Sequence, residues 1–161
     1  MDISRRPPTL RPAAALLLLA GLLVAPAVEA QTLNLSLSTN SIAFPSADPD
    51  ASPVVSAPSI KVNYRVRDNA TGSWRITVMA GGDLTAGAAT IPISNVTWTA
   101  TPTPPFLDGT MSATVAQTMA SGSGNVQSNN QFGTVVFRLV NSWTYGIGTY
   151  TASFVFTLTA P

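Results

Sequence analysis

The 161-residue chain carries eight Lys or Arg and seven Asp or Glu, a net charge of +1, and contains neither Cys nor His. These absences exclude disulfides, transition-metal sites built on Cys or His, and nucleophiles activated by an imidazole. A nearly neutral chain also has no long-range field to gather nucleic acid or anionic lipid, so we expect neither as a partner.

Residues 1–30 predict a secretory signal peptide. Three arginines precede an apolar run over residues 13–24, which is too short to span a bilayer, and an Ala-x-Ala-like cleavage site ends at Ala30. No later apolar run approaches the about 20 residues that a membrane span needs. We therefore expect residues 31–161 to be exported to the cell surface or medium, or to the periplasm if the host has two membranes.

Period-two alternation of apolar and polar residues predicts strands through the exported part, where helical patterns are almost absent. A weaker strand is predicted over residues 33–38, followed by a Pro-rich connection over 45–58. Residues 59–79 predict a β-hairpin, because two alternating segments flank the turn-forming run 68–72.

The second half continues the same pattern. Weaker strands are predicted over residues 90–93, 96–100 and 111–118. The segment 121–130 has almost no apolar content and is predicted to be a mobile loop. Residues 133–159 predict a second long antiparallel hairpin, turning at the glycines of the run 146–148.

Many short strands separated by Pro- and Gly-rich turns are typical of β-sandwiches. The sequence therefore predicts an all-β protein, with a single immunoglobulin-like antiparallel β-sandwich over residues 31–161 after the signal peptide. A small β-barrel is the alternative.

The exported part offers few groups for catalysis. A Ser nucleophile needs a base, but His is absent and the single lysine, Lys61, stands in no S-x-x-K motif. A two-carboxylate site of the glycosidase type would have to use two of five aspartates. These are Asp48, Asp50, Asp68, Asp83 and Asp108. Each lies beside turn-forming residues, where Asp is favoured for its backbone hydrogen bonds, so we predict no enzyme and no catalytic residue.

A metal site is not expected either. Asp48 and Asp50 place two carboxylates in one short segment, but calcium takes six or more oxygen ligands and the spacing is not that of an EF-hand. A solvated Pro-rich turn is the favoured interpretation, and we predict neither a metal nor a cofactor.

Aromatic residues are the remaining candidates for a binding site, because an aromatic face packs well against the C–H face of a sugar. Trp74 keeps phase with the apolar residues of its predicted strand, so we expect it in the core, whereas Trp98 stays an open candidate. Trp143 and Tyr145 lie next to a Gly-rich turn and are the predicted ligand or partner contacts.

Two passages resemble the WxL domain of bacterial cell-surface proteins. Residues 71–78 contain the first W-x-L-like motif, and residues 148–161 contain a G-x-Y-x-A pattern followed by the second. The first motif has Ile in place of Leu, and the second has Phe in place of Trp. The residues that correspond to the family motifs are Trp74, Ile76, Tyr150, Phe156 and Leu158. The resemblance implies non-covalent attachment to the cell wall, with peptidoglycan as the target.

These observations predict a secreted, non-enzymatic binding module of the bacterial cell surface. Its expected partners are cell-wall polysaccharide or other surface proteins. The alternative is a structural subunit of a pilus or coat that assembles by β-strand exchange, because the regular final strand over residues 149–159 can pair with another subunit if it lies at a sheet edge.

Overall fold

Strands account for nearly all regular structure in the computed structural model, which describes residues 31–39, 41–67, 71–126 and 131–160. Within these ranges there are thirteen strands, one short 3-10 helix and no α-helix. The first seven strands are β1 (Thr32–Leu37), β2 (Ile42–Phe44), β3 (Val54–Ser56), β4 (Ile60–Arg67), β5 (Ser73–Ala80), β6 (Leu84–Ala86) and β7 (Ala89–Ile91). The 3-10 helix (Ile93–Asn95) precedes β8 (Val96–Thr101), β9 (Gly109–Thr110), β10 (Gln117–Ser123), β11 (Phe132–Val140), β12 (Tyr150–Ala152) and β13 (Phe154–Thr159).

The strands form two antiparallel layers. The first layer has the order β1-β4-β11-β8-β9, with β3 also paired to β11. The second consists of the sheets β10-β5-β13 and β2-β12-β6-β7. These two sheets run into one another, since only Ser153 separates β12 from β13, and Gly81 N–H donates to the Ser153 carbonyl at 2.8 Å. The prediction of an all-β, antiparallel β-sandwich is confirmed.

The predicted hairpin over residues 59–79 is wrong. Its strands, β4 and β5, lie in opposite layers, where β4 pairs with β1 and β11 while β5 pairs with β10 and β13. The alternation does indicate one buried face on each strand. The two strands do not pair edge to edge, however, and their buried faces meet across the interior between the layers. The rings of Tyr64 and Trp74 meet there with centroids 4.9 Å apart.

The predicted hairpin over residues 133–159 is wrong for the same reason. β11 lies inside the first layer, between β8 on one side and β3 and β4 on the other. The segment after it crosses to the second layer, where β12 and β13 pair with β2, β6 and β5. Phe137 and Phe154 pack across the interior, with ring centroids 5.0 Å apart.

The weaker strand predictions have mixed outcomes. The strands predicted over 33–38 and 96–100 are present as β1 and β8. The one over 90–93 is cut short, because β7 ends at Ile91 and the 3-10 helix follows. The one over 111–118 is wrong over most of its length, since β9 ends before it and β10 begins only at Gln117.

Two segments predicted as connections contain ordered strands. The Pro-rich segment 45–58 includes β3, paired with the end of β11. The segment 121–130 begins with the last residues of β10, and Val126 then exchanges two backbone hydrogen bonds with Val66, at 3.1 and 2.8 Å. Residues 127–130 lie outside the described part. Here main-chain pairing orders a stretch that offers few apolar side chains.

Close approach to a tryptophan requires glycine at position 109. Gly109 lies opposite Trp98 in the β8–β9 pair, and a Cβ at this position would overlap the indole ring. The indole Nε1–H donates to the Leu107 carbonyl at 2.8 Å, which holds the ring in place. The missing side chain therefore lets a fully buried Trp lie flat against the edge of the first layer.

We expect Gly109→Ala to lower the free energy of unfolding by about 1–3 kcal/mol, because the buried ring has no space into which it can move. The matched control is Gly82→Ala, since a Cβ at Gly82 meets nothing within 4 Å. Denaturant unfolding of both variants measures the difference, and equal stabilities for the two would contradict this account of Gly109.

Burial of Tyr64 between the layers predicts an alkaline instability. Burial raises the pKa of Tyr64 above its usual 10.0, because the charged phenolate is poorly solvated there. The unfolded chain then loses this proton at a lower pH than the folded chain does, so stability falls as the pH rises from about 10 towards the folded-state pKa. Tyr64→Phe should not show this part of the loss of stability, as measured by denaturant unfolding at increasing pH. If the difference in free energy of unfolding between the wild type and Tyr64→Phe stays constant above pH 10, the prediction is wrong.

Candidate functional site

Two loops at the end of β11 enclose a cleft of about 300 Å³. One loop, residues 141–149, connects β11 to β12, and the other, residues 45–53, connects β2 to β3. The floor includes three buried strand residues, Val55 of β3, Ile91 of β7 and Leu139 of β11. Both predicted contact residues, Trp143 and Tyr145, line this cleft.

Asn141 ties the two loops together. Its Nδ2 donates to the carbonyls of Ala47 at 3.0 Å and Ser52 at 3.1 Å, while its Oδ1 accepts from Ser142 N–H at 3.0 Å. Its own backbone N–H donates to the Pro53 carbonyl at 2.9 Å. The one side chain thus satisfies backbone groups of both loops, which sets the distance between the walls of the cleft.

Trp143 lies at the rim and is the exposed tryptophan of this domain. Its side chain is 69% exposed, yet its Nε1–H donates to Asp50 Oδ1 at 3.0 Å across the cleft entrance. Asp50 is itself held, because its backbone N–H donates to Asp48 Oδ1 at 2.9 Å. The indole is therefore both accessible and oriented, with a carboxylate at its polar edge.

Tyr145 is held from the opposite wall. Its hydroxyl oxygen accepts from Asn95 Nδ2 at 2.7 Å, which connects the 141–149 loop to the 3-10 helix. Deeper in the cleft, the Tyr150 hydroxyl donates to the Gly146 carbonyl at 2.8 Å and fixes the Gly-rich turn. Between these two anchors Ile147 projects into solvent, with 96% of its surface exposed.

The cleft combines an apolar floor, an exposed aromatic face and a few oriented polar groups. Such a mixture is typical of sites for small neutral ligands, with apolar surfaces supplying area and polar groups supplying orientation. The Ser142 hydroxyl lines the cleft and contacts the Thr144 hydroxyl beside it at 3.0 Å, and Asp50 lies next to the rim at Trp143. The oxygen atoms of these groups can exchange hydrogen bonds with ligand hydroxyls.

The other tryptophans are not part of this cleft. Trp74 and Trp98 are buried, so the prediction of a core role for Trp74 is confirmed. The residues of the two W-x-L-like motifs come together in the second layer, where Leu158 lies opposite Ile76 and Phe156 opposite Val78. Trp74, Ile76 and Tyr150 are buried and Phe156 and Leu158 partly buried, so these residues contribute to packing.

The described aspartates outside the cleft have structural partners. Asp83 Oδ1 accepts from Ile93 N–H at 2.9 Å, and Asp108 Oδ1 accepts from Ala100 N–H at 2.8 Å. Asp68 lies outside the described residues. In the part of the chain that the structure describes, no group of three or more Asp, Glu, His or Cys is placed to hold a metal ion.

Sequence reasoning missed Asp50 and Asn141 as parts of the site. Asp50 was interpreted as a residue of a solvated turn, and its partner Trp143 is 93 positions away in the chain. Asn141 lies directly after a strand, where Asn is unremarkable by composition. No local pattern marks either residue, because the contact exists only once the two loops meet at one end of the sandwich.

Comparison with protein-family models, with curated proteins and with solved structures finds no match for this chain. Across the described ranges there is also no helix long and apolar enough to cross a membrane.

Asn141 generates a prediction about the cleft. We expect Asn141→Asp to lower the free energy of unfolding by about 1–3 kcal/mol at neutral pH, because a carboxylate replaces a donor that faces two carbonyl oxygens. Asn34→Asp, a change of the same kind at an exposed position of β1, is the control and should have little effect. Thermal unfolding compares them; an Asn141→Asp variant as stable as Asn34→Asp would show that the two loops do not depend on this side chain.

Proposed function

We propose that this protein is a secreted, non-enzymatic module of the bacterial cell surface that binds neutral glycan of the cell wall in the Trp143 cleft. The observation that carries the proposal is the exposed indole of Trp143, which a hydrogen bond to Asp50 orients at the entrance. A large exposed aromatic side chain held in one orientation loses little conformational freedom when a ligand packs against it.

The chemistry of the cleft favours a sugar. The C–H face of a hexose is apolar and packs against an aromatic ring, while its hydroxyls need acceptors and donors at the edge of that ring. Asp50 lies at the indole edge, and the Ser142 and Thr144 hydroxyls follow Asn141 on the same loop. A carboxylate beside the ring also disfavours anionic ligands, so we propose an uncharged glycan segment.

The domain as a whole suits a wall ligand. Its charged residues from position 31 onward are five basic and five acidic, so it lacks the field that concentrates polyanions. The predicted signal peptide places it outside the cell, and the WxL-like motifs are the basis for proposing the wall as the target. In this proposal those motifs supply the fold, whereas the cleft supplies the ligand contacts.

Binding without turnover is proposed because the chain lacks the usual activating groups. It contains no His and no Cys, and its one lysine, Lys61, has its Nζ 4.2 Å from the Phe132 ring centroid, on a strand outside the cleft. The Asp48 carboxylate, which lines the cleft, accepts from Asp50 N–H, and the Asp50 carboxylate beside the rim accepts from Trp143 Nε1–H, so each orients a neighbour.

Sedimentation with purified cell-wall sacculi tests the proposal. We expect the wild-type chain to sediment with sacculi, Trp143→Ala to lose about tenfold or more in apparent affinity, and Val115→Ala, at a similarly exposed position outside the cleft, to bind as wild type. Asp50→Asn preserves an acceptor for the indole N–H but removes the negative charge. It therefore separates the contribution of ring orientation to the affinity from the contribution of the charge.

Soluble β-1,4-linked N-acetylglucosamine oligomers serve as the defined probe. Because Trp74 and Trp98 are buried, a change in the fluorescence of the accessible Trp143 reports on the cleft. If sacculi retain no more protein than a control β-sandwich, or if Trp143→Ala binds as well as wild type, the proposed site is wrong.

A further inference from the structure

The two long unpaired strand edges of the molecule lie at one corner of the sandwich. β13 pairs with β5 on one side, and β1 pairs with β4 on one side; the other edge of each makes no strand pairing with any described residue. Cα atoms of β1 and β13 approach within 8 Å, so these two edges lie next to each other.

The other edges of the described sheets are short or covered. β2 and β7 have three residues each and β9 has two. The outer edge of β10 is covered by the segment before β9, where Leu107 N–H donates to Met119 at 2.8 Å and Ser121 N–H to Pro105 at 3.2 Å. Short or covered edges are how proteins prevent unwanted strand addition, and β1 and β13 do not have this protection.

β1 and β13 also lack the other protective features. Their sequences, TLNLSL and FVFTLT, contain no Pro and no charged residue, and the ladder between β13 and β5 is regular over its whole length. By contrast, the bulge in the second layer lies on the opposite side, in β10. A regular, uncharged edge of six residues can accept another strand.

The corner formed by these two strands is apolar. Six side chains at alternate positions of the strands are only partly buried or exposed, three from each strand. They are Leu33, Leu35 and Leu37 of β1 and Phe154, Phe156 and Leu158 of β13. The sandwich core is therefore incompletely covered at this corner, and an added strand on each edge would cover it.

We infer that the β1/β13 corner is the interface for a second copy of this chain, with β1 of each copy paired to β13 of the other about a two-fold axis. The two edges are matched: both have six residues, both are uncharged, and both carry three large apolar side chains at alternate, partly buried or exposed positions. Because both edges lie at one corner, a two-fold rotation satisfies both at once, as an isologous dimer requires. Each strand retains its partner within its own copy.

The inference is independent of the proposed glycan site. The cleft residues lie on the 45–53 and 141–149 loops and on β3, β7, β11 and β12, and none of them belongs to β1 or β13. A variant that loses self-association but still binds sacculi, or one that loses sacculus binding but still self-associates, therefore tells the two proposals apart.

Sedimentation of the purified full-length chain over a range of concentrations tests the inference. We expect a reversible dimer whose dissociation constant rises about tenfold or more in Val155→Lys, since a charge on an edge strand opposes strand addition. The control is Val140→Lys, because Val140 is a valine of similar exposure, 52% against 54%, on a strand away from the corner. Thr157→Lys, at a second exposed position of β13, repeats the test if Val155→Lys folds poorly.

Amide hydrogen exchange locates the contact. Protection of β1 and β13 amides should increase when the protein concentration is raised about a hundredfold, as mass action requires. A chain that stays monomeric, a dimer that Val155→Lys and Val140→Lys affect equally, or protection of β13 that does not depend on concentration would each overturn the inference. Dilution-resistant polymers in which β1 has left β4 would also overturn it, in favour of strand exchange.

Discussion

Burial of aromatic side chains between the two facing layers is the constraint on which the rest of the structure depends. Tyr64 meets Trp74 at one position, and Phe137 meets Phe154 at another. Without disulfides or metal ligands, this interior has to supply the stability of the domain. Each strand thus has to present its apolar face to the opposite layer, and from β4 onward consecutive long strands are placed in different layers.

This constraint also positions the candidate site. β11 lies inside the first layer and the chain has to cross to the second layer to form β12, so the 141–149 loop spans the end of the sandwich. The 45–53 loop makes a similar passage from β2 to β3. The two crossings meet, and Asn141 joins them by donating from Nδ2 to the carbonyls of Ala47 and Ser52 and from its backbone N–H to that of Pro53. The cleft is a consequence of how the layers are connected.

The exposed features of the molecule fall into two separate regions. At the end of the sandwich, Trp143 and Ile147 expose apolar surface among oriented polar groups. At the β1/β13 corner, the exposed groups are backbone edges and partly covered leucines and phenylalanines. The first arrangement fits a small polar ligand with one apolar face, and the second fits another strand, because the chemistry of each surface is complementary to a different kind of partner.

Local patterns were sufficient for the strands with strong alternation and for the burial of Trp74. They were insufficient for strand partners, because β4 and β5 show the same alternation whether they pair with each other or face each other across a core. The short strands β2 and β3 carry too few residues for a period to be visible among prolines.

The sequence by itself determined the all-β class, the inward side of β4, β5 and β13, and the placement of Trp143 and Tyr145 in a loop after a strand. Only the tertiary structure decided which strands pair, that Asp50 holds Trp143, and that the edges of β1 and β13 lie at one corner. The physical reason is the sequence separation of the residues that interact. Alternation is set by neighbours two residues apart, whereas these contacts join residues tens of positions apart and exist only when both layers are assembled.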